Sequence, residues 1–254
     1  MALPSRFEPD ALTCLLELTV KSGQAHISDL AAKCRFSVEL TKRIIASAPE
    51  VALEGATILV LDEKRIQLAL RAVRSGADRV KVARLLSWKD FEIFSAKVFS
   101  AFGYQIATNV RLKFLRRRME IDLVAQRYSS LVAVDCKHWK NVLSGQRMAR
   151  VANEQDLRAE CLARFLNEQW GPGKLCVRVL PVVVCLYEPR QRFFNGCPLV
   201  SVTNLPSFAE QLPAEIAGLR VHRCQVSSLS PIERWISSVQ RSHRTSIAGQ
   251  RTID

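Results

Sequence analysis

A chain of 254 residues has room for one large domain or two small ones, each with its own core. Its 48% apolar and 24% charged residues match a folded protein and exclude wholesale disorder. A net charge of +13 points to a polyanionic partner, because clustered Lys and Arg gain affinity by releasing counterions from nucleic acid. A membrane surface competes less well, since no basic amphipathic helix carries a bulky aromatic face.

The eight cysteines form no CxxC pair and sit mostly in apolar contexts. That argues against a zinc ribbon and for reduced thiols. The N-terminus does not read as a leader, and no apolar run reaches the ~18 residues of a membrane span. The expectation is a soluble, cytoplasmic protein.

From the N-terminus, Ala11–Val20 shows helical apolar spacing and stops at Ser22-Gly23. Ser28 is placed to cap Asp29–Cys34, and Ser37 to cap Val38–Ala48. Val51–Leu53 and Thr57–Leu61, joined through Gly55-Ala56, read as a hairpin. Helix, short helix, helix, hairpin resembles a winged helix, and HISDLAAKCRFSVELTKRII resembles its helix-turn-helix, with Lys42 and Arg43 on the second helix. Such units dock on DNA or on proteins. Asp62–Ser75 and Asp78–Leu86 continue as helices, broken at Gly76, and read as a connector.

Ser87 and Asp90 form a capping pair for the next helix. Trp88, Phe91, Ser95, Val98, Phe99 and Phe102 share one face of it, Glu92 lies at that face's edge, and Gly103 ends it. Tyr104–Val110 is a strand that alternation extends through Arg111, Leu112, Lys113 and Phe114. Arg111, Lys113, Arg116, Arg117 and Arg118 form a charge run suited to phosphate contact.

Two further apolar runs carry acids. Ile121–Ala125 contains Asp122, which needs a metal, a nearby lysine or exposure at a strand end, because an unpaired buried carboxylate costs several kcal/mol. Leu131–Val134 ends in Asp135-Cys136-Lys137. On a strand Asp135 and Lys137 are co-facial, Cys136 points to the other face, and the backbone carbonyl between them is a further oxygen ligand. Lys137 is the expected cation for Asp122. Glu92, Asp122, Asp135 and Lys137 converging at one sheet edge would make a site for Mg²⁺ or Mn²⁺, with Asp122, Asp135 and the Cys136 carbonyl as ligands. Lys140, Arg147 and Arg150 continue the positive charge.

Phe91-Glu92, Phe102-Gly103-Tyr104, Ile121–Ala125 and Val134-Asp135-Cys136-Lys137 together resemble the PD-(D/E)xK nuclease superfamily, in the branch of archaeal Holliday-junction resolvases and Mrr-type restriction endonucleases. The order of helix acid, hairpin Asp, then acid-x-Lys is kept. Ile121 stands where a Pro often precedes the Asp, and Arg116–Glu120 replaces a glycine-rich approach. Mrr-type enzymes typically carry Gln where this chain has Asp135. The resemblance implies a metal-dependent DNA endonuclease of repair, recombination or restriction. In that role Asp122 and Asp135 hold the metal, Glu92 assists through water, and Lys137 orients or deprotonates the attacking water.

Gly145–Trp170 reads as one long helix closed by Gly171-Pro172-Gly173. Val177–Leu186 is a covered strand in which Pro181 requires a start or a bulge. Pro198–Thr203 is a short strand, Pro206–Leu212 a helix, and Pro231–Ser242 a last amphipathic helix. The fold class is α/β: a restriction-endonuclease-like mixed sheet flanked by helices (87–230), preceded by a small helical winged-helix-like domain and connector (1–86), with a C-terminal helix and tail (231–254). The expected partner is DNA. A homodimer would supply the two active sites that cutting both strands requires, and the N-terminal domain offers a protein-docking alternative. Two rivals are a non-cutting DNA-binding or assembly protein of nuclease fold, and a metal-independent RNA endonuclease in which His138 would matter more.

Overall fold

The computed structural model describes residues 6–114, 117–137, 145–215 and 218–239, with the side chains of 114, 117 and 213–215 left aside. The chain divides into two compact units, Met1–Phe94 and Ser95–Asp254. The division falls inside a helix, a few residues after the expected boundary at 86.

The first unit runs α1 (Glu8–Leu18), β1 (Gln24–His26), α2 (Ile27–Cys34), α3 (Val38–Ala46), β2 (Ala52–Glu54), β3 (Thr57–Leu59), a 3₁₀ turn (Asp62–Lys64), α4 (Arg65–Arg74) and α5 (Arg79–Arg84). Helix α1 buries Ala11, Leu12, Leu15 and Leu16, the i, i+1, i+4, i+5 pattern of one helical face. Its three strands pair antiparallel in the order β1-β3-β2, and Glu54 opposes Thr57 across a two-residue turn in which Gly55 takes φ 62°. Ser37 caps α3 by accepting the Leu40 N–H, as its position suggests. The cap of α2 is His26 instead of Ser28: the His26 ring nitrogen accepts the Ser28 N–H, because burial of Ile27 starts the helix two residues before Asp29. Lys42 and Arg43 are both exposed on α3.

Arg65, 4% exposed, ties this unit to the start of the next helix. Its guanidinium donates to the Thr19 carbonyl and hydroxyl and to the Leu85 carbonyl, and sits 3.3 Å from Asp90. Asp90 also accepts the Ser87 N–H at 2.6 Å, so the capping pair opens α6 (Trp88–Ala101). Trp88 is 57% exposed and does not share the buried face with Phe91 and Phe99. At the first helical position its ring lies beyond the turn that the core covers.

In the second unit, α6 leads to β4 (Gln105–Phe114), β5 (Arg117–Arg127), β6 (Ser130–Lys137), α7 (Gly145–Trp170), β7 (Leu175–Cys185), β8 (Phe193–Phe194), β9 (Cys197–Ser201), α8 (Leu205–Glu215), β10 (His222–Val226) and a helix at residues 230–239. The strand order is β4-β5-β6-β7-β9-β8, antiparallel from β4 to β6 and parallel from β6 through β7 to β9. Helix α7 is the crossover that a parallel pair demands. Its Ala159, Leu162, Ala163 and Leu166 share a core with Val124, Leu131, Ala133, Val177 and Val179. Ile232 and Ile236 of the last helix are buried in that same core, so residues 230–239 close the second unit. This is an α/β fold, a mixed sheet flanked by helices.

Pro181 sits in mid-strand without a bulge. The edge of β7 away from β6 is shared: β10 pairs Leu175–Val179 and β9 pairs Val183–Cys185. Neither reaches residues 180–182, so the missing N–H of Pro181 falls where no strand waits for it. No helix of the described residues is long and apolar enough to cross a membrane.

Candidate active site

The site forms where β5 parts from β6. Their antiparallel ladder runs from Arg127↔Ser130 to Leu123↔Val134, and the next step of the register would set Asp122 opposite Asp135. The ladder stops there, and the Asp122 carboxylate takes the place of a backbone acceptor: its Oδ2 accepts the Cys136 N–H at 2.7 Å. On the other side of β5 the pairing with β4 skips this same position, where Asn109 has φ 51°. Ala107 and Val110 therefore both reach the core despite being three residues apart, and so do Ile121 and Val124. This break in alternation leaves Asp122 at the strand edge and out of the core.

Asp135 and Lys137 are co-facial, as the strand period requires, and Lys137 Nζ lies 2.9 Å from Asp135 Oδ1. Cys136 turns its thiol to the opposite face, 3.6 Å from the Ser95 hydroxyl of α6. The N–H and C=O of one strand residue point to the same edge, so the Cys136 carbonyl is directed toward Asp122. Lys137 was expected to neutralise Asp122. Its direct ion pair is with Asp135, because i and i+2 on one strand are within direct reach, and it acts on Asp122 through its charge alone.

A second cation, Arg158, comes from α7, with its guanidinium 3.4 Å from the same Asp135 Oδ1. Gln155, one helical turn earlier and fully buried, holds it in line. Its amide donates to the Ala133 carbonyl at 2.7 Å, and its Oε1 accepts from Arg158 at 3.4 Å. Both cations engage Oδ1. Asp135 is 3% exposed, and its Oδ2 has no hydrogen-bond partner among the described residues. A buried carboxylate oxygen left unpaired is costly and is the kind of group that awaits a cation.

Burial pushes the Asp122 carboxyl above the ordinary carboxylate range. The neighbouring Asp135 raises it further, while the Cys136 N–H, Lys137 and Arg158 oppose the rise. Among the described residues, no three His, Cys, Asp or Glu side chains gather into a metal cage. The donor set is thus two carboxylates and a backbone carbonyl, all hard oxygens suited to Mg²⁺ or Mn²⁺ with water filling the remaining positions. Asp135 Oδ2 is the observation that fits such an ion.

Glu92 is 6% exposed in the part of α6 that belongs to the first unit. Arg111, Lys113 and Arg118 lie exposed on the β4–β5 hairpin, alternating with buried Val110 and Leu112. Arg111 has Glu120 at 3.6 Å, whereas Lys113 directly opposes Arg118. Like charges facing across a ladder are unfavourable unless an anion lies over them. Arg116, Lys140 and His138, and the Arg117 side chain, lie outside the described residues. Sequence reasoning missed Arg158 and Gln155 as site residues. The available signal was a buried-face glutamine with an arginine three residues on.

Residues 83–160 match the Mrr_cat family, described as restriction endonuclease. Over 127 residues the chain is 28% identical to an uncharacterized protein of Archaeoglobus fulgidus, covering 50% of this chain and 92% of the relative. Among solved structures it is similar to protein VC1899 from Vibrio cholerae, at 14% identity and TM-score 0.38, covering 83% of this chain and 52% of that one. It is also similar to restriction endonuclease FokI, at 14% identity and TM-score 0.29, covering 81% of this chain and 44% of FokI. The chain thus spans about half the length of those two proteins.

Proposed function

We propose that this protein is a metal-dependent DNA endonuclease hydrolysing phosphodiester bonds, in repair, recombination or restriction. The restriction-endonuclease match at residues 83–160 supports a nuclease, and one geometric observation carries the finer reading. Asp135 presents a buried, unpartnered Oδ2 next to Asp122, while Lys137 shares its strand face.

Asp122, Asp135 and the Cys136 carbonyl would hold one Mg²⁺ or Mn²⁺, which supplies a water of lowered pKa and neutralises charge on the scissile phosphate. Lys137 orients the attacking water and balances charge developing on the phosphate oxygens. Arg158 is a positioning residue: by holding Oδ1 with Lys137, it fixes where Oδ2 points. Glu92 is assigned the outer role of steadying metal-bound water. Arg111, Lys113 and Arg118, continued by Arg116, Arg117 and Lys140, contact the DNA backbone. The first unit is assigned as a winged-helix-like domain that presents Lys42 and Arg43 to DNA or docks a protein partner, and a homodimer supplies the second active site for duplex cutting.

The test is a panel of labelled duplex, flap, junction and modified DNAs, incubated with Mg²⁺ or with EDTA. Cleavage in Mg²⁺ alone, abolished by Asp135→Ala and by Lys137→Ala in folded protein, is the expected result. Undiminished cutting by either variant refutes the site. Binding without cleavage on every substrate would favour a non-cutting nuclease fold, and cleavage of RNA in EDTA would favour the metal-independent alternative.

A further inference from the structure

The parallel half of the sheet ends on one edge, and that edge carries more than the acid pair. In register, Lys137 of β6 lies beside Cys185 of β7, which lies beside Ser201 of β9. Ser201 is therefore two strand spacings, roughly 10 Å, from Lys137 along the carboxyl edge. A cavity of about 290 Å³ opens there between β9, the start of α8 and the segment that follows β7. This is about the lower bound of small-ligand sites, ~300 Å³, and holds one compact ligand, not a strand of polymer.

Its chemistry is specific. The lining is mostly apolar, with Phe193 and Phe208 on the walls, and Phe193 is 55% exposed, unusual for a ring of that size. The polar side is pre-organised by Glu188. Its Oε2 accepts from the Ser201 hydroxyl at 2.8 Å and the Asn204 amide at 2.6 Å, and its Oε1 accepts from Arg192 at 3.0 Å. Asn204 and Gln211 add amide groups to the wall. Since Glu188 and Arg192 cancel each other's charge, the cavity holds no net positive charge to attract a phosphate. An accessible aromatic face, amide edges and a neutral interior suit a planar heterocycle.

We propose that this cavity receives one unstacked nucleobase of the DNA substrate, with its ring on Phe193 and its edge against Asn204 and Gln211. The scissile phosphate then lies one or two nucleotides away, given the spacing to Lys137. The inference rests on the nuclease reading and narrows it: the preferred substrate has an unpaired or extruded nucleotide beside the cut, such as a bubble, flap or flipped base.

The test uses the full protein in EDTA, with matched oligonucleotides that are fully paired or carry a short central bubble. One bubble base at a time is replaced by 2-aminopurine. Fluorescence should change at one or two bubble positions only. Phe193→Ala should weaken bubble binding about tenfold, in the range set by loss of one base–aromatic stack. It should leave paired-duplex affinity unchanged, and Phe193→Tyr should restore the bubble preference. Because Phe193 is largely exposed, the alanine variant should fold, which its thermal transition checks. Equal loss on both DNAs, or no loss on the bubble, overturns the pocket. If Mg²⁺-dependent cutting then persists, the nuclease reading stands without it. Absence of both binding and cutting rejects the two together.

Discussion

Asp122 and Asp135 are both assigned to metal binding, yet their surroundings predict opposite effects on the metal-free fold. Asp135 holds two cations through Oδ1, Lys137 at 2.9 Å and Arg158 at 3.4 Å. Asp135→Ala strands both partners. A hydrogen bond to a charged group contributes about 1.5–3 kcal/mol, while removing the orphan Oδ2 returns about 1 kcal/mol. With both bonds lost the net loss is about 2–5 kcal/mol, which lowers Tm by about 4–20 °C at the ~2–4 °C per kcal/mol of a chain this size. Asp122→Asn behaves otherwise. The amide oxygen can still accept the Cys136 N–H, while the cost of a half-buried charge beside Asp135 disappears. Its Tm in EDTA should stay level or rise, by no more than about 4 °C. Thermal melts in EDTA and in Mg²⁺ read both effects, since a metal at 100 times its Kd should stabilise wild type by about 2.7 kcal/mol. Neither variant should show that gain. If Asp122→Asn is destabilised in EDTA as much as Asp135→Ala, or is still raised by Mg²⁺, the assignment of Asp122 fails.

The raised Asp122 carboxyl sets a pH dependence. The folded state favours the protonated form, so the stability it contributes is fully present below the unfolded-chain value of about 3.9 and is lost as pH rises through the raised folded value. Metal competes with that proton: affinity should climb over the same interval and binding should release a proton, visible as buffer-dependent heat in titration calorimetry and absent in Asp122→Asn. Arg158→Met should cut the rate at least tenfold with little change in DNA affinity, and a lysine at the position should recover part of it. An unchanged rate would show that Lys137 alone positions Asp135. Replacing Arg111, Lys113 and Arg118 together with serine should reduce the slope of log affinity against log salt by up to about 3. Equal slopes would remove them from the DNA contact.

The acid-x-Lys motif was legible because a strand repeats every second residue, so Asp135 and Lys137 needed no tertiary information to be placed on one face. The long helix at Gly145–Trp170 was equally legible from its apolar face and the Gly-Pro-Gly that ends it. Arg158 was not, because it lies 23 residues beyond Asp135 and meets it only through the crossover geometry of α7. The five-residue β10 escaped for a related reason: it exists as a strand because the first half of β7 offers it an edge. The cap of α2 went to His26 in place of Ser28, since burial of Ile27 outweighed the better capping chemistry two residues later. In each case a short local preference yielded to a contact distant in sequence.

The pairing of Lys137 with Asp135 has a further physical consequence. Asp122, Asp135, Lys137 and Arg158 bring two negative and two positive charges together, so the cluster is neutral without a metal. A cage of three acids would repel itself and depend on a cation to fold, whereas this cluster needs none for stability. A divalent ion added to it makes the site net positive, and that surplus draws in a phosphodiester, whose own charge is negative. Metal and DNA should therefore bind with positive coupling, each raising the other's affinity by the same factor. Asp135→Asn, which leaves the cluster with one surplus positive charge, should bind DNA in EDTA at least as tightly as wild type while failing to cut it. Weaker DNA binding by that variant in EDTA would mean that the phosphate does not approach this cluster at all.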